Sequence, residues 1–61
     1  MTNQQVEFLR RLRDGHKLAL ADRVEDRARQ WCRQNGLAEV LPNPRRWVIT
    51  EAGRKALEGT E

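Results

Sequence analysis

The sequence predicts one small α+β domain, ordered helix–helix–β-hairpin–helix. Three observations carry that prediction. Apolar residues recur at helical spacing in two segments of the first half. After Gly36 the pattern switches to short, partly β-branched segments on either side of a Pro-Asn-Pro turn. Near the C-terminus, Thr50-Glu51 introduces a last apolar edge at helical spacing. The chain has 61 residues, so residues 1–61 are expected to form a single domain near the lower limit of independent folding.

The first helix is expected from Asn3 to Arg13. Val6, Phe8, Leu9 and Leu12 fall on one face at 100° per residue, with Glu7, Arg10, Arg11 and Asp14 opposite. Thr2 and Gln5 have the spacing of a capping box, Asp14-Gly15 is a stop, and Glu7 can pair with Arg11 one turn on. In the second helix Leu20, Ala21, Val24, Ala28, Trp31 and Cys32 share an apolar stripe, and Gly36-Leu37 has the form of a Schellman ending. Its start is open between two alternatives. Asp22 caps a helix preceded by an extended connector from His16 to Leu20, or the helix begins near Lys17 and runs unbroken.

Residues 38–41 and 46–50 then read as the strands of a hairpin closed by Pro42-Asn43-Pro44-Arg45, since proline fixes φ and removes a donor. Thr50 has the chemistry of an N-cap, and Glu51 suits the positive end of the helix dipole. Ala52, Ala56 and Leu57 form the apolar edge of a short helix closed by Gly59. Phe8, Trp31 and Trp47 are the large side chains available for a core, and all three are expected inside.

Composition narrows the function. No apolar run approaches the roughly 18 residues of a membrane span, and no signal-peptide core follows Met1. Charged residues make up 34% and hydrophobic ones 38%, which with a single cysteine suits a soluble, cytoplasmic protein without a membrane partner. Beginning with Met1 and showing no tag, it reads as a complete small gene product. Cys32 alone cannot form an intramolecular disulfide, and with the one histidine, His16, it cannot make a zinc site. No glycine-rich phosphate loop or nucleophile–base pair is present, so neither enzyme activity nor a cofactor is expected. Cys32 reads as a packing residue and His16 as an exposed connector residue.

The run from Arg29 to Glu39, Arg-Gln-Trp-Cys-Arg-Gln-Asn-Gly-Leu-Ala-Glu, resembles the end of a recognition helix entering the first wing strand of winged helix-turn-helix regulators. The run from Arg46 to Leu57, with its Thr-Glu-Ala-Gly-Arg, is similar to their second wing strand and following helix. Together these bound a stretch, residues 29–57, that is about half the chain. The resemblance implies a winged-helix fold and a DNA-binding, transcription-regulating role. The chain departs from the family between Gly15 and Gly36, where the usual two helices and a turn have only about twenty residues, so they are either shortened or fused. By analogy, such a reduced form is expected among small accessory proteins of bacteria and their phages.

The charge pattern points the same way. Net charge is +3 and ten of the twelve Lys and Arg residues are arginines. Arginine forms bidentate hydrogen bonds with phosphate and guanine, although a GC-rich genome also favours Arg over Lys. From Arg27 to Arg46 the only acid is Glu39. Arg23, Arg27, Gln30 and Gln34 make one outward stripe on the second helix, and Arg and Gln are side chains that reach guanine and adenine edges. A parallel stripe of Asp22, Asp26, Arg29 and Arg33 mixes signs and reads as a solvated ion-pair face, whose acids would repel phosphate if they faced it. Arg45 and Arg46 sit on the stiff turn, which the winged-helix resemblance implies lies on the DNA backbone or in the minor groove; the alternative is a proline-braced hairpin whose arginines are merely solvent exposed, and Arg46 could instead stack on an aromatic ring. Trp31 and Trp47 could serve as base-stacking platforms, but core roles are expected for both.

The expected nucleic-acid-binding set is therefore Arg23, Arg27, Gln30, Arg33, Gln34, Arg45 and Arg46, with double-stranded DNA as partner. A homodimer through an exposed apolar edge of the first helix would double a modest interface. The alternative is a protein-interaction module, a small adaptor or inhibitor on the same scaffold. The acids Asp22 and Asp26 favour it, and an exposed hydrophobic patch would support it.

Overall fold

The computed structural model describes residues 1–16, 18 and 22–60. It is a compact α+β domain with a Cα radius of gyration of 10.6 Å; a folded chain of this length is expected near 10.5 Å. The order is α1 (Asn3–Arg13), α2 (Arg23–Gln34), β1 (Ala38–Leu41), β2 (Arg46–Ile49) and α3 (Glu51–Thr60).

Helix α1 begins in a capping box. The Gln5 N–H donates to Thr2 Oγ1 at 3.3 Å, and the Thr2 N–H donates to Gln5 Oε1 at 2.8 Å. It ends as a full Schellman motif. Gly15 takes φ 74°, its N–H donates to the Leu12 carbonyl at 3.3 Å, and the His16 N–H donates to the Arg11 carbonyl at 3.0 Å. A residue with a Cβ is strained in that left-handed conformation, which explains the glycine.

Helix α2 starts at Asp22, whose extended backbone (φ −77°, ψ −177°) breaks the helical path. Its carboxylate accepts the Glu25 N–H at 2.8 Å. The capped alternative therefore holds, and one unbroken helix from Lys17 is excluded. Lys17, Ala19, Leu20 and Ala21 lie outside the described residues, and with them the expectation for Leu20 and Ala21 in the apolar stripe. The C-terminus repeats the Schellman pattern, with Gly36 at φ 73° and the Leu37 N–H donating to the Cys32 carbonyl at 2.8 Å.

The two strands pair antiparallel, in a register that places Ala38 opposite Ile49 and Leu41 opposite Arg46. The turn between them contains a cis Asn43–Pro44 peptide and Asn43 at φ 56°, a left-handed conformation that asparagine tolerates better than most residues. Thr50 then performs two tasks. Its hydroxyl oxygen accepts the Gly53 N–H at 3.0 Å, capping α3, and its hydroxyl proton goes to the Gly36 carbonyl at 2.6 Å. One side chain thus locks the start of α3 onto the end of α2. Helix α3 runs through Gly59 to Thr60, so Gly59 does not close it.

The core is Phe8, Leu9, Cys32, Ala38 and Leu57, with Val6, Leu12, Leu18, Leu37, Trp47 and Ile49 packed around it. Trp47 is half-buried and meets Phe8 edge to face, ring centroids 5.4 Å apart and planes at 87°. Gly53 is buried for a different reason from the two left-handed glycines. A Cβ there would collide with the Leu37 carbonyl oxygen and come within 2.8 Å of Ile49 Cγ1, so α3 crosses at a distance that only glycine permits. Trp31 departs from the expectation. It is 36% exposed, and Val24 is 55% exposed.

Candidate nucleic-acid interface

The exposure of Trp31 follows from which meridian of α2 faces inward. Its buried residues are Ala28, Arg29 and Cys32. At 100° per residue these centre the inner face between Cys32 and Glu25, leaving Val24 and Trp31 on one flank. A purely apolar reading puts the centre nearer Trp31, because it counts arginine as a surface residue. The Schellman ending held the corrective signal. In that motif the residue after the glycine packs back three positions from the cap, and here that pair is Leu37 and Cys32.

Arg29 takes the inward place. It is 8% exposed, and its guanidinium carbon lies 5.6 Å from the centroid of the Phe8 ring. Arg29 Nη2 donates to Glu25 Oε1 at 3.3 Å, and Arg11 Nη1 reaches the same oxygen at 3.2 Å. Arg11 also meets Glu7, at 3.6 Å. The expected stripe of mutual ion pairs among Asp22, Asp26, Arg29 and Arg33 is thus replaced: Asp22 is a cap, and Arg29 pairs with Glu25. The aromatic-stacked arginine is Arg29 on Phe8; among the described residues, no such contact involves Arg46.

Opposite the inner face stand Arg23, Arg27 and Gln34, all exposed, and Gln30, which is half-buried. Helix α2 brings these four together on one outward surface, as the spacing predicts. Arg33 is exposed on the flank away from Trp31. Arg45 and Arg46 are exposed on the hairpin turn and its first strand residue. Among the described residues, no carboxylate pairs with Arg23, Arg27, Arg33, Arg45 or Arg46. These side chains therefore hold their charge toward solvent, available to an anionic partner. Asp22 and Asp26, also exposed, put two carboxylates at the N-terminal end of the same helix.

Cys32 is fully buried, and burial pushes its thiol up to about 11, far from a thiolate at neutral pH. The Arg13 guanidinium, bonded to Asp14 at 3.1 Å, holds that exposed carboxyl below its ordinary range. His16 is exposed beside the α1 terminus. Among the described residues no cluster of three His, Cys, Asp or Glu side chains could hold a metal ion, and no helix is long and apolar enough to cross a membrane.

The apolar edge expected on α1 as a dimer surface is not there. Phe8 and Leu9 are buried, and Val6 and Leu12 pack around the core. The large apolar side chains left exposed are Met1, Val24 and Trp31 among the described residues, two of them on α2. Val24 and Trp31 line a shallow cleft with Arg27, over Ala28 and against Gln4 and Gln5 of α1.

No protein-family model, curated protein or solved structure matches this chain. Among the described residues the chain forms a small α+β domain with three helices, a two-stranded antiparallel hairpin, and a cationic outward face on its second helix.

Proposed function

We propose that the chain is a small, non-enzymatic double-stranded-DNA-binding protein of reduced winged-helix layout, acting in transcription regulation. The observation that carries this reading is the outward face of α2, where Arg23, Arg27 and Gln34 are exposed beside Gln30. In this reading α2 enters the major groove, which admits one helix. The hairpin is the wing, and Arg45 and Arg46 hold phosphates at its tip. In this reading the two-helix segment of the larger family is shortened, with α2 starting at its Asp22 cap.

The test is fluorescence anisotropy of a labelled random-sequence duplex titrated with the protein at two salt concentrations. Micromolar binding that weakens steeply with salt is expected, since displaced counterions supply the nonspecific affinity. Absence of binding at low salt would overturn the reading, because a DNA-binding face carries that electrostatic term on any sequence.

A second reading, a protein-interaction module, is favoured by the exposure of Val24 and Trp31 and by the carboxylates of Asp22 and Asp26. Tryptophan and arginine are the side chains that most often dominate binding energy at protein interfaces. Capture of one defined protein partner by nuclease-treated protein, without DNA binding, would decide for it.

A further inference from the structure

Resting on the DNA-binding reading, we infer that Val24 and Trp31 are sequence-reading residues that recognise the 5-methyl groups of thymines in the major groove. Both are exposed, at 55% and 36%, and both line the cleft that also contains Arg27. At 100° per residue they lie within about 60° of Arg27 on the helix surface. Whatever covers Arg23 and Arg27 therefore meets Val24 and Trp31 as well.

The geometry of the groove makes this specific. The major groove is about 12 Å wide and a helix with its side chains about 10–12 Å across. A helix seated there touches the groove with its flanks as well as its outermost line. The one apolar group that base edges present in the major groove is the thymine methyl. A valine and a tryptophan desolvated against that wall gain from methyl contact and lose against a polar edge. Val24 is the second residue of α2, and the N-terminal turns of a recognition helix are the ones that reach base edges. Arg27 is the one charged side chain among the described residues lining this cleft, which favours an anionic occupant, although on its other side Val24 adjoins Glu7, Asp22 and Glu25. A second copy docked by the same face would set two cationic surfaces against each other.

The experiment compares an alternating thymine–adenine duplex with the same duplex carrying deoxyuridine for every thymidine, which removes only the methyl groups. Affinities are measured by anisotropy for the native chain, Val24→Ser and Trp31→Gln, with circular dichroism to verify folding. The native chain is expected to bind the thymine duplex at least about fourfold tighter, the gain from one buried methyl. Each substitution is expected to reduce that ratio toward one, the ratio being taken within each variant so that any change common to both duplexes cancels. Equal affinity of the native chain for both duplexes overturns the inference and leaves the DNA-binding reading standing. A ratio that persists in both folded variants assigns methyl reading to other residues and also overturns it. Failure to bind either duplex at low salt overturns the DNA-binding reading itself, and the exposed strip is then a protein-docking surface.

Discussion

The guanidinium carbon of Arg29 lies over the Phe8 ring, 5.6 Å from its centre, which makes an arginine part of the inner wall between α1 and α2. Its charge is balanced by Glu25 at 3.3 Å, and Glu25 is shared with Arg11 of α1 at 3.2 Å. The cation contributes through its attraction to the ring face, through the ion pair and through the apolar stem it lays along the core. This arrangement fixes the rotation of α2 about its axis, and so decides which residues α2 turns outward.

Arg29→Ala is accordingly expected to lower stability by about 1–3 kcal/mol, from lost packing and a Glu25 left with one partner. Arg29→Lys should recover only part of that loss, because an ammonium keeps the charge without the guanidinium's several donors and its broad contact with the ring. Urea unfolding followed by far-UV circular dichroism measures both.

Trp31→Ala and Phe8→Ala should differ sharply. Phe8 is 1% exposed, and its truncation is expected to cost about 3–5 kcal/mol, comparable to the whole stability of a domain this small. Trp31→Ala should cost less, about 1–2 kcal/mol, because a third of its surface is already in water. Thermal melts of the two variants test this. A Trp31→Ala chain as unfolded as Phe8→Ala would contradict the placement of α2.

Gly53→Ala should destabilise by at least about 2 kcal/mol even though alanine is the better helix former. The added methyl meets the Leu37 carbonyl, part of the backbone, which cannot rotate aside as a side chain would. Gly59→Ala, with open space around it, should instead stabilise by a few tenths to about 1 kcal/mol. Opposite signs for two glycines in one helix are the expected readout.

Binding should respond to charge with a defined pattern. Arg27→Ala should weaken DNA binding by about 1–3 kcal/mol if it contacts a base edge, and Arg45→Ala should lower the log–log salt slope by about 1. Asp26→Asn removes a carboxylate from the binding end of α2 and should tighten binding by about twofold at low salt. Salt titrations of the three variants, each with a melting curve, separate these effects from unfolding.

Stability should fall in alkali because of Cys32. Its ordinary value is 9.0, and in the folded chain burial raises it to about 11. Between those values the unfolded chain has released the thiol proton and the folded chain has kept it. Fewer protons bound in the unfolded state means stability declines as pH rises through that window, by about 1–3 kcal/mol at its upper end. Cys32→Ala should flatten the decline, as read by denaturant midpoints at stepped pH.

Much of this fold is legible in the sequence because its signals are local. The Thr2–Gln5 box, the Gly15 and Gly36 terminations, the prolines of the turn and the Thr50 cap each depend on residues within a few positions of one another. Their chemistry therefore places the element ends without knowledge of the neighbours. Arg23, Arg27, Gln30 and Gln34 could be assigned to one surface on the same ground, since helical spacing alone aligns them. What only the tertiary structure decided is how α2 is rotated, and with it the fates of Val24, Arg29 and Trp31. Local pattern ranks Trp31 above Arg29 for burial, because a charge alone in the core is costly. Phe8, Glu25 and Arg11, brought together from two helices, remove that cost for Arg29, and Trp31 is left facing outward beside Arg27.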